Sequence, residues 1–237
     1  STSTLAIQNN ANYYNQSGSA TTYSTLNWSG NIIDNGGTLA AVSDGGDLTV
    51  PSGATLTANT ARTFNNLTID GTLTHSANVS SATYRIDFDV TNDFELSPNA
   101  TIDLDAKGFQ GGYGPGAGNP TGGGSGGGAH GGDGGNGRAS SGGSAYGSLS
   151  EPITLGSGGG NTDTYAGDGG GAVELTVGGT STINGIISAN GSKGTDDGWE
   201  VRGGGAGGSI FIDTTTFAGT GTIRANGGGA TNDSNDA

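Results

Sequence analysis

Residues 108–160 contain 24 glycines among 53 positions. Each glycine in a helix interior costs about 1 kcal/mol relative to alanine, so this density removes helix as an outcome. It also withholds side chains, so the stretch cannot build a hydrophobic core of its own. Two fates remain. One is a flexible linker. The other is a set of extended runs packed side by side, where only glycine lets backbones approach closely, by the crowding logic of the collagen axis. There is no strict three-residue glycine period, which excludes collagen itself. The stretch carries Phe109, Tyr113, Tyr146, Ile153 and Leu155, which a flexible linker does not need. Shorter glycine runs recur from residues 191 and 227, at the same phase of a repeat. These two observations favour packed runs.

The repeat is visible on both sides of the stretch. Residues 47–57 read DLTVPSGATLT and residues 66–74 read NLTIDGTLT. Leu48 and Val50 correspond to Leu67 and Ile69, Gly53 to Gly71, and Leu56 to Leu73, at offsets of 17 to 19 residues. Each unit is two short alternating strands joined at a glycine turn. Beyond the stretch, Val173 corresponds to Ile210 and Leu175 to Ile212. Leu104, Ile187 and Ile223 each open an apolar-polar-Ala-(Lys/Asn)-Gly corner, the last two 36 residues apart. No window shows sustained helical spacing of apolar residues. Uneven repeats of short strands with Gly, Asn and Asp at the corners predict an all-β chain, a parallel β-helix or β-solenoid with glycine-rich loops stacked on one side. A β-sandwich is the competing all-β fold. The organisation expected is a capping segment over 1–30, first coils over 31–107, a glycine-rich insertion over 108–170 and continuing coils over 171–237.

Charge excludes several partners. The net charge is −14 in 237 residues, which argues against nucleic acid and anionic membrane surfaces. No apolar run reaches 18 residues, so no membrane span is expected. There is no cysteine, so neither disulfides nor thiolate metal sites contribute. The abundance of Asn, Thr, Ser and Gly with little Lys matches exported bacterial surface proteins, and the expected location is extracellular.

Chemistry-bearing residues are sparse. Fragments resemble polygalacturonase motifs, at residues 161–163 (NTD), 195–198 (TDDG) and 129–132 (AHGG). In that family the His motif follows the carboxylate motifs, whereas His130 precedes them here, and an Arg-Ile-Lys motif is lacking. No catalytic residues are therefore assigned and the chain is not expected to be an enzyme. Gly126, Gly128 and Gly131 match a dinucleotide fingerprint, but no strand precedes them and no helix follows. Asp-rich turns at 43–47, 132–136, 161–168, 196–197 and 232–236 leave structural calcium open, although turn chemistry alone explains such residues. No cofactor is expected. His75 follows a strand end and is expected to be solvated. Sequons occur at Asn15, Asn27, Asn66, Asn78, Asn99, Asn190 and Asn232. Within the glycine stretch, Tyr113, His130 and Tyr146 are the candidate partner-binding residues.

The LTV/LTI coils and the Ala-Asn-Gly corners together resemble bacterial surface proteins of the adhesin type, with a parallel β-helix and glycine-rich insertions. The resemblance covers about residues 40–230. It implies a structural or adhesive module, as a segment of a surface adhesin or a self-assembling filament subunit. Its expected partners are further copies, neighbouring surface-protein repeats or glycans. The alternatives are a carbohydrate-active β-helix enzyme of pectin type, and a glycan- or ice-binding module.

Overall fold

The computed structural model describes residues 3–9, 11–21, 23, 25–120, 124–160, 165–195 and 201–230. The chain is all-β. Among the described residues helix is confined to one 3₁₀ turn, Ala40–Val42. The early strands are β1 (Thr4–Ile7), β2 (Asn12–Gln16), β3 (Ala20–Thr21), β4 (Thr25–Trp28), β5 (Asn31–Asn35) and β6 (Thr38–Leu39). Next come β7 (Gly46–Val50), β8 (Thr55–Ala58), β9 (Arg62–Ile69), β10 (Thr72–Thr74), β11 (Ile86–Val90), β12 (Phe94–Leu96) and β13 (Thr101–Asp103). After the glycine stretch come β14 (Ala172–Ile183), β15 (Ile186–Ser188), β16 (Ser209–Ala218) and β17 (Thr222–Arg224).

One sheet has seven strands in the order β17-β15-β13-β10-β8-β5-β2. A six-stranded sheet holds β7, β9, β11, β12, β14 and β16, and two pairs, β1–β4 and β3–β6, stand apart. From β7 onward the chain alternates between the two large sheets, except that β11 and β12 follow one another in the six-stranded sheet. All their pairings are parallel, which hairpin-built sandwiches do not give. Residues 1–30, expected as a cap, contribute β1 to β4, with β1 in register under β4.

The register follows the apolar columns. Leu48 pairs with Leu67, Val50 with Ile69 and Leu56 with Leu73. Val173 pairs with Ile210 and Leu175 with Ile212. One expected alignment is corrected. Ile102, not Leu104, shares the column of Ile187 and Ile223. Leu104 lies one step further, where its N–H donates to the Ser188 carbonyl at 2.7 Å. A slip of two residues leaves every side chain on the same face, so alternation alone cannot detect it. Between the sheets Phe64 and Phe88 meet edge to face at 5.2 Å, within a core that also buries Phe94, Leu67, Ile69 and Leu96.

The glycine runs interlock through backbone hydrogen bonds rather than through regular strands. Gly126 accepts from Gly160 N at 2.7 Å, Gly128 N donates to Gly204 at 2.9 Å, and Gly143 N donates to Gly127 at 3.0 Å. The run at 203–206 also accepts from Gly167 N at 3.0 Å and Gly170 N at 2.9 Å. Close approach requires glycine here: a Cβ on Gly203 would collide with the Gly126 carbonyl, and one on Gly126 with the Ser141 carbonyl.

His75 is also corrected. It is buried completely, not solvated. Its Nε2 accepts from Ala172 N at 3.2 Å and its Nδ1 bonds the Ser76 carbonyl at 2.8 Å, which sets the neutral tautomer. The start of β14 covers the ring, and no pattern near residue 75 reveals a partner 97 residues away. Burial, opposed by the Ser76 carbonyl and aided by Lys107, lowers its pKa from 6.5 to about 4.

Candidate functional site

The run at 124–128 leads the chain to His130, which the packing of the glycine layer buries to 8 % exposure. His130 Nε2 lies 2.7 Å from the Thr154 hydroxyl and 3.5 Å from that of Ser209. Burial lowers its pKa against the pull of the Gly208 and Gly207 carbonyls, so the ring is neutral near pH 7. The Tyr146 ring packs on it at 5.0 Å between centroids, and Tyr146 N donates to the His130 carbonyl at 2.9 Å. The Tyr146 hydroxyl donates to the Leu155 carbonyl and accepts from Ser157 Oγ at 2.8 Å. Burial raises its pKa, and the Ser157 bond opposes the rise.

Two depressions share Tyr146. A groove of about 900 Å³ is lined by His130, Asp133, Tyr146, Leu149, Ile210 and Ile223 among others. A smaller cavity of about 350 Å³ lies behind Tyr146, lined by Tyr84, Arg85, Phe109, Ile153 and Leu155 among others. The structure thus brings together two of the three expected residues. Tyr113 lines neither space. Its carbonyl accepts from Gly158 N at 3.0 Å, and its side chain is 36 % exposed.

The other candidates fall into structural roles. Asp44 accepts from Thr63 N at 2.9 Å, Asp47 from Asn66 N at 3.2 Å and Asp133 from Ala145 N at 2.7 Å. Among the described residues no three His, Asp or Glu side chains converge as a metal set would. The carboxylates of 161–163, 196–197 and 232–236 lie outside the described residues, as does Asn232. Asn15 and Asn78 are buried, which closes those two sequons to a glycan. Asn78 accepts from Thr83 N and Tyr84 N and donates to the carbonyls of Tyr84 and Lys107.

Two arrangements escape a reading by sequence, and a third is only hinted at by the Leu-Thr repeats. The first is a buried ion pair. Arg62 grips both oxygens of Asp34 at 2.7 and 2.8 Å, and Asn15 Nδ2 and Thr60 Oγ1 complete the set at 2.8 and 3.2 Å. The second ties neighbouring strands. Burial pushes the Asp105 carboxyl up, but bonds from Ser188 and Asn190, with Arg224 nearby, outweigh it and hold the pKa low. The third is a column on the outer face of the seven-stranded sheet. It reads Asn31, Thr55, Thr72, Thr101, Ile186, Thr222 across successive strands; in the next column Thr57, beside Thr74, is buried and donates to Asn31 Oδ1 at 3.0 Å. The corresponding face of the other sheet is acidic, with Asp87 beside Glu174, and Asp89, Thr176 and Asp213 in line. The Thr-Leu-Thr segments at 55–57 and 72–74 were the available signal for the third.

Comparison with protein-family models, with curated proteins and with solved structures finds no match to this chain. Among the described residues no helix is long and apolar enough to cross a membrane.

Proposed function

We propose that the chain is an extracellular structural or adhesive module, a β-solenoid whose alternating strands form two faces and whose glycine runs form a third layer on one side. The interlocked glycine layer carries this reading. A chain that commits so much sequence to backbone packing gains a rigid, chemically quiet body, suited to spacing or display. Its abundance of Asn, Thr, Ser and Gly with little Lys supports an extracellular location. Neighbouring surface-protein repeats or glycans are the partners such a module would meet.

The test joins two measurements. Electron microscopy of the purified chain is expected to show rods of uniform width, and hydrogen exchange is expected to show slow exchange of the amides at 126–128 and 203–206. Uniformly fast exchange there removes the rigid layer and with it the proposal. Release of reducing or unsaturated sugar from pectin-like polymers would make the chain an enzyme instead.

The threonine column favours a second reading, a binding face for a periodic ligand. The face offers methyl and hydroxyl groups at the strand repeat of about 4.8 Å, and its two neighbouring columns carry charge only at Asp103 and Arg224. Aromatic side chains, the usual platform for sugar rings, are confined there to Tyr14, so ice suits the face better than a glycan. Thermal hysteresis that Thr72→Lys abolishes would support this reading; freezing behaviour equal to that of an inert protein would remove it.

A further inference from the structure

The smaller cavity, behind Tyr146, lies away from both ends of the strand order. Tyr84 and Arg85 lead into β11, which pairs with β9 on one side and β14 on the other. One wall of the cavity is the end of the 78–84 loop, and the others come from the glycine stretch. These walls are fixed by the chain's own bonds. Asn78 accepts from Thr83 N and Tyr84 N at 2.8 Å and donates to the carbonyls of Tyr84 and Lys107 at 2.9 Å, so its side chain closes the loop. The Tyr146 hydroxyl is tied to the Leu155 carbonyl and Ser157 Oγ. Phe109 and Leu155, 7 % and 3 % exposed, pack with Ala172 at the start of β14. A site preformed in this way loses little freedom on binding.

The lining mixes two kinds of surface. Tyr84, Phe109 and Tyr146 bring aromatic rings, and Pro115, Ile153 and Leu155 bring aliphatic surface. Polar groups with unused capacity stand among them. Arg85 spends Nη2 on Asp87 at 2.9 Å and Glu174 at 3.1 Å, and no described residue accepts from its Nε or Nη1. The Tyr84 hydroxyl has no hydrogen-bond partner among the described residues. The Thr154 hydroxyl meets His130 Nε2 at 2.7 Å, and whichever way that bond runs its oxygen keeps a lone pair. Donors, acceptors and aromatic surface therefore share one small cavity.

We infer that this cavity binds one or two rings of an uncharged sugar at the end of a glycan. A pyranose turns C–H groups toward aromatic rings and carries hydroxyls that both donate and accept, which matches this lining. The volume of about 350 Å³ stands at the small end of the range of about 300–1,000 Å³ for ligand sites, so a long chain does not fit inside. Charge selects a neutral ligand. Arg85 is the one cation among the described lining residues, and it already faces two carboxylates in a chain of net charge −14. An acidic sugar would meet repulsion there. The sugar gives the adhesive side of the proposed function its partner, and the inference rests on that reading's ordered glycine layer, which carries Phe109, Tyr146 and Leu155.

Calorimetric titration of the full chain tests it, with backbone amide shifts followed by NMR. The probes are the methyl pyranosides of glucose, galactose, mannose and N-acetylglucosamine, beside glucuronate and galacturonate. At least one neutral pyranoside is expected to bind saturably and to shift the amides of Thr83, Tyr84, Thr154 and Leu155. Both acidic sugars are expected to bind about tenfold more weakly or not at all. Tyr84→Ala should weaken binding about tenfold, Ile153→Trp, which fills the cavity, should abolish it, and Tyr113→Ala, outside both depressions, should leave it unchanged. Circular dichroism checks that each variant keeps its β signal, and the amide shifts of the unaltered chain decide the matter if a variant does not fold. No saturable binding of any neutral pyranoside overturns the inference, as does tighter binding of an acidic one or binding that leaves those four amides unmoved. Absent binding with the amides at 126–128 and 203–206 slow to exchange removes the sugar site and leaves the rigid module standing, whereas fast amides there remove the module.

Discussion

Acidification should loosen the molecule at one identifiable place. His75 has a folded pKa of about 4, against about 6.5 for an unperturbed imidazole. Between those values the unfolded chain binds more protons, so stability falls as pH falls. The contribution is complete above about pH 6.5 and lost below about pH 4. At 1.36 kcal/mol per pKa unit, the two titration curves give a loss of about 2 kcal/mol at pH 5 and about 3 kcal/mol at pH 4. The assay is urea unfolding at pH 7.5 and pH 5.0, followed by the fluorescence of buried Trp28. His130 shifts in the same direction, so wild type must be compared with a variant rather than with itself alone. His75→Gln keeps an acceptor for Ala172 N–H but cannot take up the proton. It should start less stable at pH 7.5 and lose about 2 kcal/mol less than wild type on going to pH 5. An equal loss in both proteins would refute the argument, because the buried ring would then not be the group that titrates.

Three further outcomes follow from the packing. Arg62→Met leaves the Asp34 carboxylate buried without its cation and should cost about 3–5 kcal/mol, read as a lowered urea midpoint, whereas replacing both partners with apolar residues should cost less. Gly203→Ala forces a Cβ into the Gly126 carbonyl and should cost about 1–3 kcal/mol, while Gly229→Ala, which faces open space, should be near neutral in the same unfolding assay. Asn78→Ala strands the amides of Thr83 and Tyr84 and the Tyr84 carbonyl, while the Lys107 carbonyl keeps its bond from the N–H of residue 78; it should cost about 2 kcal/mol or more, with faster exchange of the Thr83 and Tyr84 amides.

Parallel register was legible wherever an apolar side chain repeats at one depth. Leu48, Leu67, Val173 and Ile210 announce their columns because only one face of each strand is buried. The corner at Leu104 was misaligned because a two-residue slip preserves that pattern and leaves no trace in it. The order of the glycine runs was legible from their phase, since each follows a strand corner. His75 and the Asp34–Arg62 pair were not, because each is fixed by a partner from another repeat: 97 residues away for the ring, and 28 for the ion pair. The candidate site divides the same way. His130 and Tyr146 converge through a backbone bond between their own runs, Tyr146 N to the His130 carbonyl, while the run carrying Tyr113 meets Tyr146 at Gly116 and leaves the Tyr113 side chain outside both depressions.

The long-range bonding of the glycine layer also orders events during synthesis. The strands from β2 to β13 need nothing beyond residue 103 to find their register. The run at 124–128 cannot make its bond to Gly204 until residue 204 has been synthesised. Glycine loses the most freedom on ordering, and bonds within 108–160, such as Gly127 N to Gly135, offset only part of that loss before the late partners arrive. A ribosome paused within residues 129–203 would thus carry the strands up to β13 and a glycine stretch that still lacks its bonds to the run at 203–206. The layer closes as the final act, and that interval is when a chaperone or a neighbouring nascent chain would find its backbone open.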